Sequence, residues 1–216
     1  MNLTTPSPGT PIIFLLDDDA SFLRSACRLL RATGYPVQAF ESAQEFLKQL
    51  TPEMCGCVIT DLEMPGLNGL ELQEALKKSA NPLPVIFLSA QGDIPRTVHA
   101  MRSGAEDFLT KLGPKEELLA AIKRALARDA RERKLRGRLE ELRRRFAELS
   151  ERELEVLGHV VRGQMNKQIA DDLGINERTV KLHRTNLTRT LQVQSVAELT
   201  KLTEELGLFK GDQPAE

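Results

Sequence analysis

At 216 residues, with 41% hydrophobic content and a formal net charge of −1, the chain is long for one typical domain and comfortable for two folded cores. No stretch is apolar enough to span a membrane, and Met1 to Pro8 has neither the basic start nor the apolar centre of a signal peptide, so it reads as a flexible tail and the protein as cytoplasmic. Cys27, Cys55 and Cys57 are odd in number and lack zinc spacing, and His99, His159 and His183 lie far apart, so disulfides and a zinc site are not expected.

The first predicted strand, near 12 to 16, is Ile12-Ile13-Phe14-Leu15-Leu16, and it ends in Asp17-Asp18-Asp19. Asp19 is placed to N-cap a helix from about Ala20 to Arg31. Further strands near 36 to 40, 57 to 60, 85 to 88 and 106 to 110 alternate with helix-length segments, which implies a parallel sheet covered on both faces. The third strand ends at Asp61. If it neighbours the first, Asp17, Asp18 and Asp61 converge into an oxygen-rich, negative crevice of the kind a small hard cation fills, with one acid left as nucleophile. Two later strands deliver Ser89 and Lys111 to the same edge. An acyl phosphate on Asp61 needs both: a carboxylate attacks a phosphoryl donor only if nearby positive charge offsets the repulsion, and a hydroxyl can then donate to a phosphoryl oxygen.

The order acidic run, Asp, Ser, Lys, each after a strand, resembles the receiver domain of bacterial two-component response regulators. The resemblance implies a doubly wound five-stranded parallel sheet in which Asp17 and Asp18 help hold Mg2+ with Asp61 and the backbone carbonyl of Glu63. It also implies that Asp61 is the phosphoacceptor for a sensor histidine kinase, with Ser89 and Phe108 as switch residues and Lys111 beside the phosphate. The family usually follows its lysine with a cis proline, whereas this chain has Leu112-Gly113-Pro114. A cis bond before Leu112 would cost about 2.5–4 kcal/mol, so the lysine is expected to approach by a different loop path.

From Lys115 to Leu149 there is no proline and almost no glycine, and the segment reads as one helix about 50 Å long, with Gly137 as its weak point. Leu135, Leu139, Leu142, Phe146 and Leu149 fall at coiled-coil spacing. In a parallel homodimer Arg131 would face Arg136 and Arg138 would face Arg143, so the stripe is expected to pack within its own chain at rest, against the first helix of the C-terminal domain or its loop.

Ser150 and Glu153 form the capping box of a new helix, and short helices are expected near 151 to 162, 166 to 173, 177 to 191 and 195 to 206. Ile169, Ala170 and Leu173 set against Val180 and Leu187 make a helix-turn-helix pattern. Asn-Lys-Gln-Ile-Ala from Asn166, Thr-Val-Lys-Leu-His-Arg from Thr179 and Leu-Gln-Val from Leu191 resemble the LuxR-type DNA-binding domain of the NarL and FixJ regulators. Gln91-Gly92-Asp93-Ile94-Pro95 after the serine resembles the FixJ branch. The resemblance implies a recognition helix from Glu177 in the major groove of promoter DNA. Lys167 and Thr179 would reach phosphates, Lys181, Leu182, Arg184 and Thr185 would face base edges or backbone, and Arg189 would bind the flanking phosphate.

The expected division is a flexible tail over 1–10, a receiver domain over 11–126, a helical linker over 127–148, an all-α four-helix LuxR-type helix-turn-helix domain over 149–208 and a flexible tail over 209–216. From Ser150 onward there are 9 Lys and Arg against 11 Asp and Glu, so attraction to DNA must come from local clustering and one copy should bind weakly. The mechanism expected is a switch. Phosphorylation of Asp61 favours a homodimer through Ile94, Val98 and Met101, where the resting protein is a monomer or weak dimer, and the dimer binds DNA, with RNA polymerase as a further partner. One alternative is a phosphorylation-independent DNA-binding regulator whose receiver is a dimerisation or sensing module. Another is an aspartyl-phosphate phosphatase, which the missing cap domain and Glu63 in place of an acid-base aspartate disfavour.

Overall fold

The computed structural model describes residues 9–90 and 94–209, so the Gln91-Gly92-Asp93 phrase and most of both expected tails lie outside the described residues. The chain divides into two compact units between Arg133 and Lys134. In the first, β1 (Ile12–Leu16), β2 (Val37–Phe40), β3 (Gly56–Asp61), β4 (Val85–Ser89) and β5 (Asp107–Thr110) form a parallel sheet in the order β2-β1-β3-β4-β5. Helices α1 (Ala20–Ala32), α2 (Ala43–Gln49), α3 (Gly69–Lys78) and α4 (Ile94–Arg102) connect successive strands. A further helix, α5 (Lys115–Ala147), follows β5 and runs unbroken through Gly137. The expected doubly wound receiver architecture is therefore observed.

Strand alternation explains why both faces need helices. Phe14, Leu16, Val58, Val85 and Phe87 point to one face and pack with Phe46, Leu72, Leu76 and Ala100 from α2, α3 and α4. Ile13, Leu15, Cys57, Ile59, Ile86 and Leu88 point to the other and pack with Leu23, Cys27 and Leu30 of α1 and Ala121, Ile122 and Ala125 of α5. All three cysteines are buried and free. As expected, Asp19 caps α1, its side chain accepting from the Ser21 and Phe22 amides.

The far end of the sheet is fixed by a contact that local pattern does not announce. Asp129, buried on α5, accepts from the Gly56 amide at 3.0 Å and from Arg133 at 2.9 Å. Gly56 has φ of +136°, and a Cβ there would sit 1.8 Å from the Ile12 carbonyl oxygen, so only glycine fits where β3 starts beside β1. Packing of the first unit thus continues past residue 126, the expected receiver boundary, because α5 is still bound to the sheet at Asp129.

The second unit gathers the end of α5 with α6 (Glu151–Val161), α7 (Asn166–Leu173), α8 (Glu177–Leu191) and α9 (Val196–Glu205). Ser150 and Glu153 form the expected capping box at the start of α6. Leu142, Phe146 and Leu149 are buried, the last two packing with Val156, Leu157 and Val160 of α6 in a core that includes Ile169, Val180, Leu187 and Leu199. The heptad stripe thus packs within the chain over its last three members, while Leu135 is 57% exposed. Arg138 fixes the helix further with a two-pronged bond to Glu205 of α9, at 3.0 and 3.1 Å. Phe209, expected to begin a flexible tail, lies against α6: a Cβ on Gly158 would come within 3.2 Å of its ring. The bare backbone at Gly158 leaves a flat surface that accepts the ring.

Candidate functional site

The sheet order reverses direction at β1, whose neighbours β2 and β3 lie on opposite sides, and ligands of open α/β sheets bind where the strand ends splay at such a point. Leu16 pairs with Thr60, so Asp17 and Asp61, each one residue further on, emerge side by side. One ligand oxygen each from Asp17, Asp18 and Asp61 lies within 4.8 Å of the others. Asp61 is fixed by its own loop: Oδ1 accepts from the Leu62 amide at 2.6 Å and from the Glu63 amide at 3.4 Å. Asp17 Oδ1 accepts from the Asp19 amide at 3.0 Å.

Lys111 completes the cluster. Its Nζ lies 2.6 Å from Asp17 Oδ2 and 2.8 Å from Asp61 Oδ2. The peptide into Leu112 is trans, and no cis bond occurs among the described residues. Two backbone bonds shape the loop instead: the Lys111 amide donates to the Ser89 carbonyl at 2.9 Å, and the Gly113 amide to the Thr110 carbonyl at 3.0 Å. Leu112 is left 95% exposed at the tip while Lys111 turns inward. Its ammonium also lies 4.6 Å from the centre of the Phe22 ring, a cation–π contact at the first turn of α1. Sequence reasoning missed Phe22; the only available signal was an aromatic three residues after the N-cap Asp19.

Burial and charge oppose each other here. Burial pushes the Asp17 carboxyl up from the ordinary aspartate value, and Lys111 and the Asp19 amide pull it back only in part. Burial pushes the Lys111 ammonium down, but Asp17 and Asp61 outweigh it and hold the lysine above its usual range. The two directions are consistent, because the one cation is held by two acids while burial outweighs its pull on Asp17. Asp17 Oδ2 is buried, with the lysine as ion partner and no hydrogen bond besides. Three hard carboxylate donors, one of them under-bonded, fit a small divalent cation.

Of the other expected residues, Ser89 is buried at the end of β4, one residue past Leu88, the partner of Asp61 in the sheet. Phe108 on β5 is half-buried, and its ring stacks on Phe87 with centroids 5.9 Å apart. Glu63 turns its side chain toward solvent and pairs with Arg96 of α4, and both line an open cleft with Asp18, Met64 and Asn68. The Glu63–Arg96 pair was not anticipated either.

In the second unit, Gly174 in left-handed conformation ends α7, and Asn176 caps α8, accepting from the Thr179 amide at 2.8 Å. Val180 and Leu187 face the core, while Lys181, Leu182, Thr185 and Arg189 are exposed on the same helix and Lys167 is exposed on α7. Two expected contacts are otherwise engaged. The Thr179 hydroxyl donates to Asn176 Oδ1 at 3.0 Å, which uses its one proton, and Arg184 is half-buried and donates to Asn166 Oδ1 at 3.0 Å, tying α8 to α7. On α7 and α8, Lys167, Arg178, Lys181 and Arg189 remain as exposed basic residues.

Comparison with known proteins agrees with this geometry. Residues 13–123 match the response regulator receiver domain, and residues 147–203 match the bacterial regulatory proteins of the luxR family. The chain is 43% identical over 200 residues to the response regulator protein TodT of Pseudomonas putida, covering 93% of this chain and 88% of that protein. It is 36% identical over 197 residues to the transcriptional regulatory protein FixJ of Bradyrhizobium diazoefficiens, covering 91% and 96%. Among solved structures, the response regulator StyR aligns with a TM-score of 0.82 at 43% identity, over 91% of this chain and 99% of that one. No described helix is long and apolar enough to cross a membrane. The chain belongs to the NarL and FixJ response regulators, transcription regulators that join a receiver domain to a LuxR-type DNA-binding domain.

Proposed function

We propose that Asp61 is the phosphoacceptor and that Asp17, Asp18, Asp61 and the Glu63 carbonyl hold the Mg2+ that its phosphorylation requires. The observation that supports this best is the Lys111 ammonium bridging Asp17 and Asp61 beside Asp18. A bound divalent cation would offset the repulsion between the crevice and an incoming phosphoryl anion. Asp61 supplies the attacking oxygen, with its carboxylate oriented by the Leu62 and Glu63 amides, and as its bond to phosphorus forms the N–P bond of the kinase's phosphohistidine breaks and the imidazole leaves. Lys111 moves its charge to the phosphoryl oxygens, and the Ser89 hydroxyl donates to one of them. The donor is a sensor histidine kinase, and both it and the promoter are met in the cytoplasm.

The output is a dimer. Ser89 and Phe108 draw inward, reshaping the face of α4, β5 and the start of α5, where Ile94, Val98 and Met101 are exposed by 76%, 43% and 43%. Moving the population from mostly inactive to mostly active requires about 5.5 kcal/mol of differential stabilisation. Dimerisation brings two copies of α8 to a two-half-site operator, which the thin basic surface of one copy requires. Asp61→Ala should abolish both acyl-phosphate labelling and phosphate-stimulated DNA binding; unchanged stimulation would sink the proposal. Gel filtration with beryllofluoride and Mg2+ separates it from the phosphorylation-independent alternative, which predicts no change in assembly.

A further inference from the structure

Among the described residues near the cleft, the acids Asp17, Asp18, Asp61 and Glu63 are set against the cations Lys111 and Arg96. Lys111 already spans Asp17 and Asp61. Arg96 instead pairs with Glu63, a carboxylate two residues past Asp61 whose side chain stays 75% exposed. An ion pair this exposed adds little to folding, so its position matters more than its strength. Giving up its cation is also cheap for Glu63, because water can solvate it at once. Phosphoryl oxygens are the better acceptor for the guanidinium than a solvated carboxylate: a planar fork of N–H donors matches them, and charge-assisted bonds to them are among the stronger hydrogen bonds.

We infer that Arg96 is a phosphoryl-binding residue stored on Glu63, and that modification of Asp61 transfers its guanidinium from the Glu63 carboxylate to the phosphoryl oxygens. The inference rests on Asp61 being the phosphoacceptor. Its consequence is mechanical, because Arg96 lies in the first turn of α4, beside Ile94 and two residues before Val98. The helix carrying the proposed dimer face is thereby tied to the phosphoryl group through a side chain of its own, alongside the route through Ser89 and Phe108.

The test is the rate of Asp61 labelling by acetyl phosphate with Mg2+, followed by intact mass on the full-length chain and three variants. Arg96→Gln should slow labelling by ~10-fold, equivalent to about 1.4 kcal/mol of lost stabilisation. Glu63→Gln, which weakens the hold of residue 63 on the arginine, should raise the rate severalfold. The double variant E63Q/R96Q should be as slow as R96Q, because the lost contact is the arginine's own. A wild-type rate in R96Q would overturn the inference, and so would a wild-type rate in the double variant, which would mean that only the net charge of the cleft mouth matters. Failure of the wild-type chain to label at all would instead overturn the phosphoacceptor reading, and the inference with it.

Discussion

Replacing Lys111 with methionine keeps the length of the side chain and removes one charge from between Asp17 and Asp61. The native ammonium lies 2.6 and 2.8 Å from the two carboxylates, whose side chains are only 1% and 14% exposed. At an effective dielectric of about 20, each contact carries roughly 6 kcal/mol of gross attraction, most of it offset by the desolvation of all three groups. Removing one partner of a fully buried pair costs about 3–5 kcal/mol; with Lys111 itself 15% exposed, a loss of about 2–4 kcal/mol at neutral pH is expected. The loss has an escape route. Burial already raises the Asp17 carboxyl, and without Lys111 it rises further, so the variant can neutralise Asp17 by taking up a proton. A carboxyl raised in the folded state contributes stability that is present at low pH and is lost as pH rises through its folded value. The deficit of the variant must therefore shrink as pH falls from 7.5 to 5, and Mg2+ should shrink it at either pH. The chain has one tyrosine, Tyr35, and no tryptophan, so urea unfolding followed by tyrosine fluorescence reports the first unit within the full-length protein. A variant as stable as wild type at pH 7.5, or a deficit independent of pH and Mg2+, would refute the reasoning.

Gly56→Ala should destabilise the first unit by more than about 4 kcal/mol, because the new Cβ meets the Ile12 backbone oxygen rather than a movable side chain; the same fluorescence titration measures it, and a loss under 1 kcal/mol would contradict the geometry. Ser150→Ala removes the N-cap of α6 and should cost the second unit about 1 kcal/mol, read by circular dichroism. The backbone bond from Ser150 holds the Glu153 carboxyl below its ordinary 4.5, so the stability that this contact supplies is complete above pH 4.5 and is lost as pH falls through the lowered value. Lys181→Ala should weaken DNA binding at all sequences and lower the slope of log affinity against log salt by about 1 per copy, whereas an unchanged slope would remove Lys181 from the phosphate contacts.

The parts of this structure that were legible in the sequence share one property: each is set by a short local pattern. Apolar runs of strand length closed by acids, the Asp19 and Ser150 caps and the alternation of strand and helix all survive in the fold. The convergence of Asp17, Asp18, Asp61 and Lys111 followed because a doubly wound sheet brings its strand ends to one edge. What stayed hidden depends on residues far apart in the chain. Asp129 reaching the Gly56 amide extends the first unit to Arg133, and no periodicity signals it. The heptad stripe named its members and its partner, since Phe146 and Leu149 do pack on α6, but not its extent: Leu142, Phe146 and Leu149 are buried and Leu135 is not, a difference that depends on where α6 begins. Phe22 beneath Lys111 and Arg96 beside Glu63 likewise arise from tertiary geometry alone. The same holds for Arg184, whose charge suggested DNA but whose guanidinium also serves the α7–α8 joint.

Acetyl phosphate labelling of the full-length chain in Mg2+, followed by borohydride reduction and peptide sequencing by mass spectrometry, tests the central claim most directly, since reduction turns an aspartyl phosphate into homoserine at the modified position. The account predicts homoserine at residue 61, dependent on a divalent cation and absent after chelation. Homoserine at residue 17 or 18 instead, or equal modification of residue 61 in chelator, would contradict it.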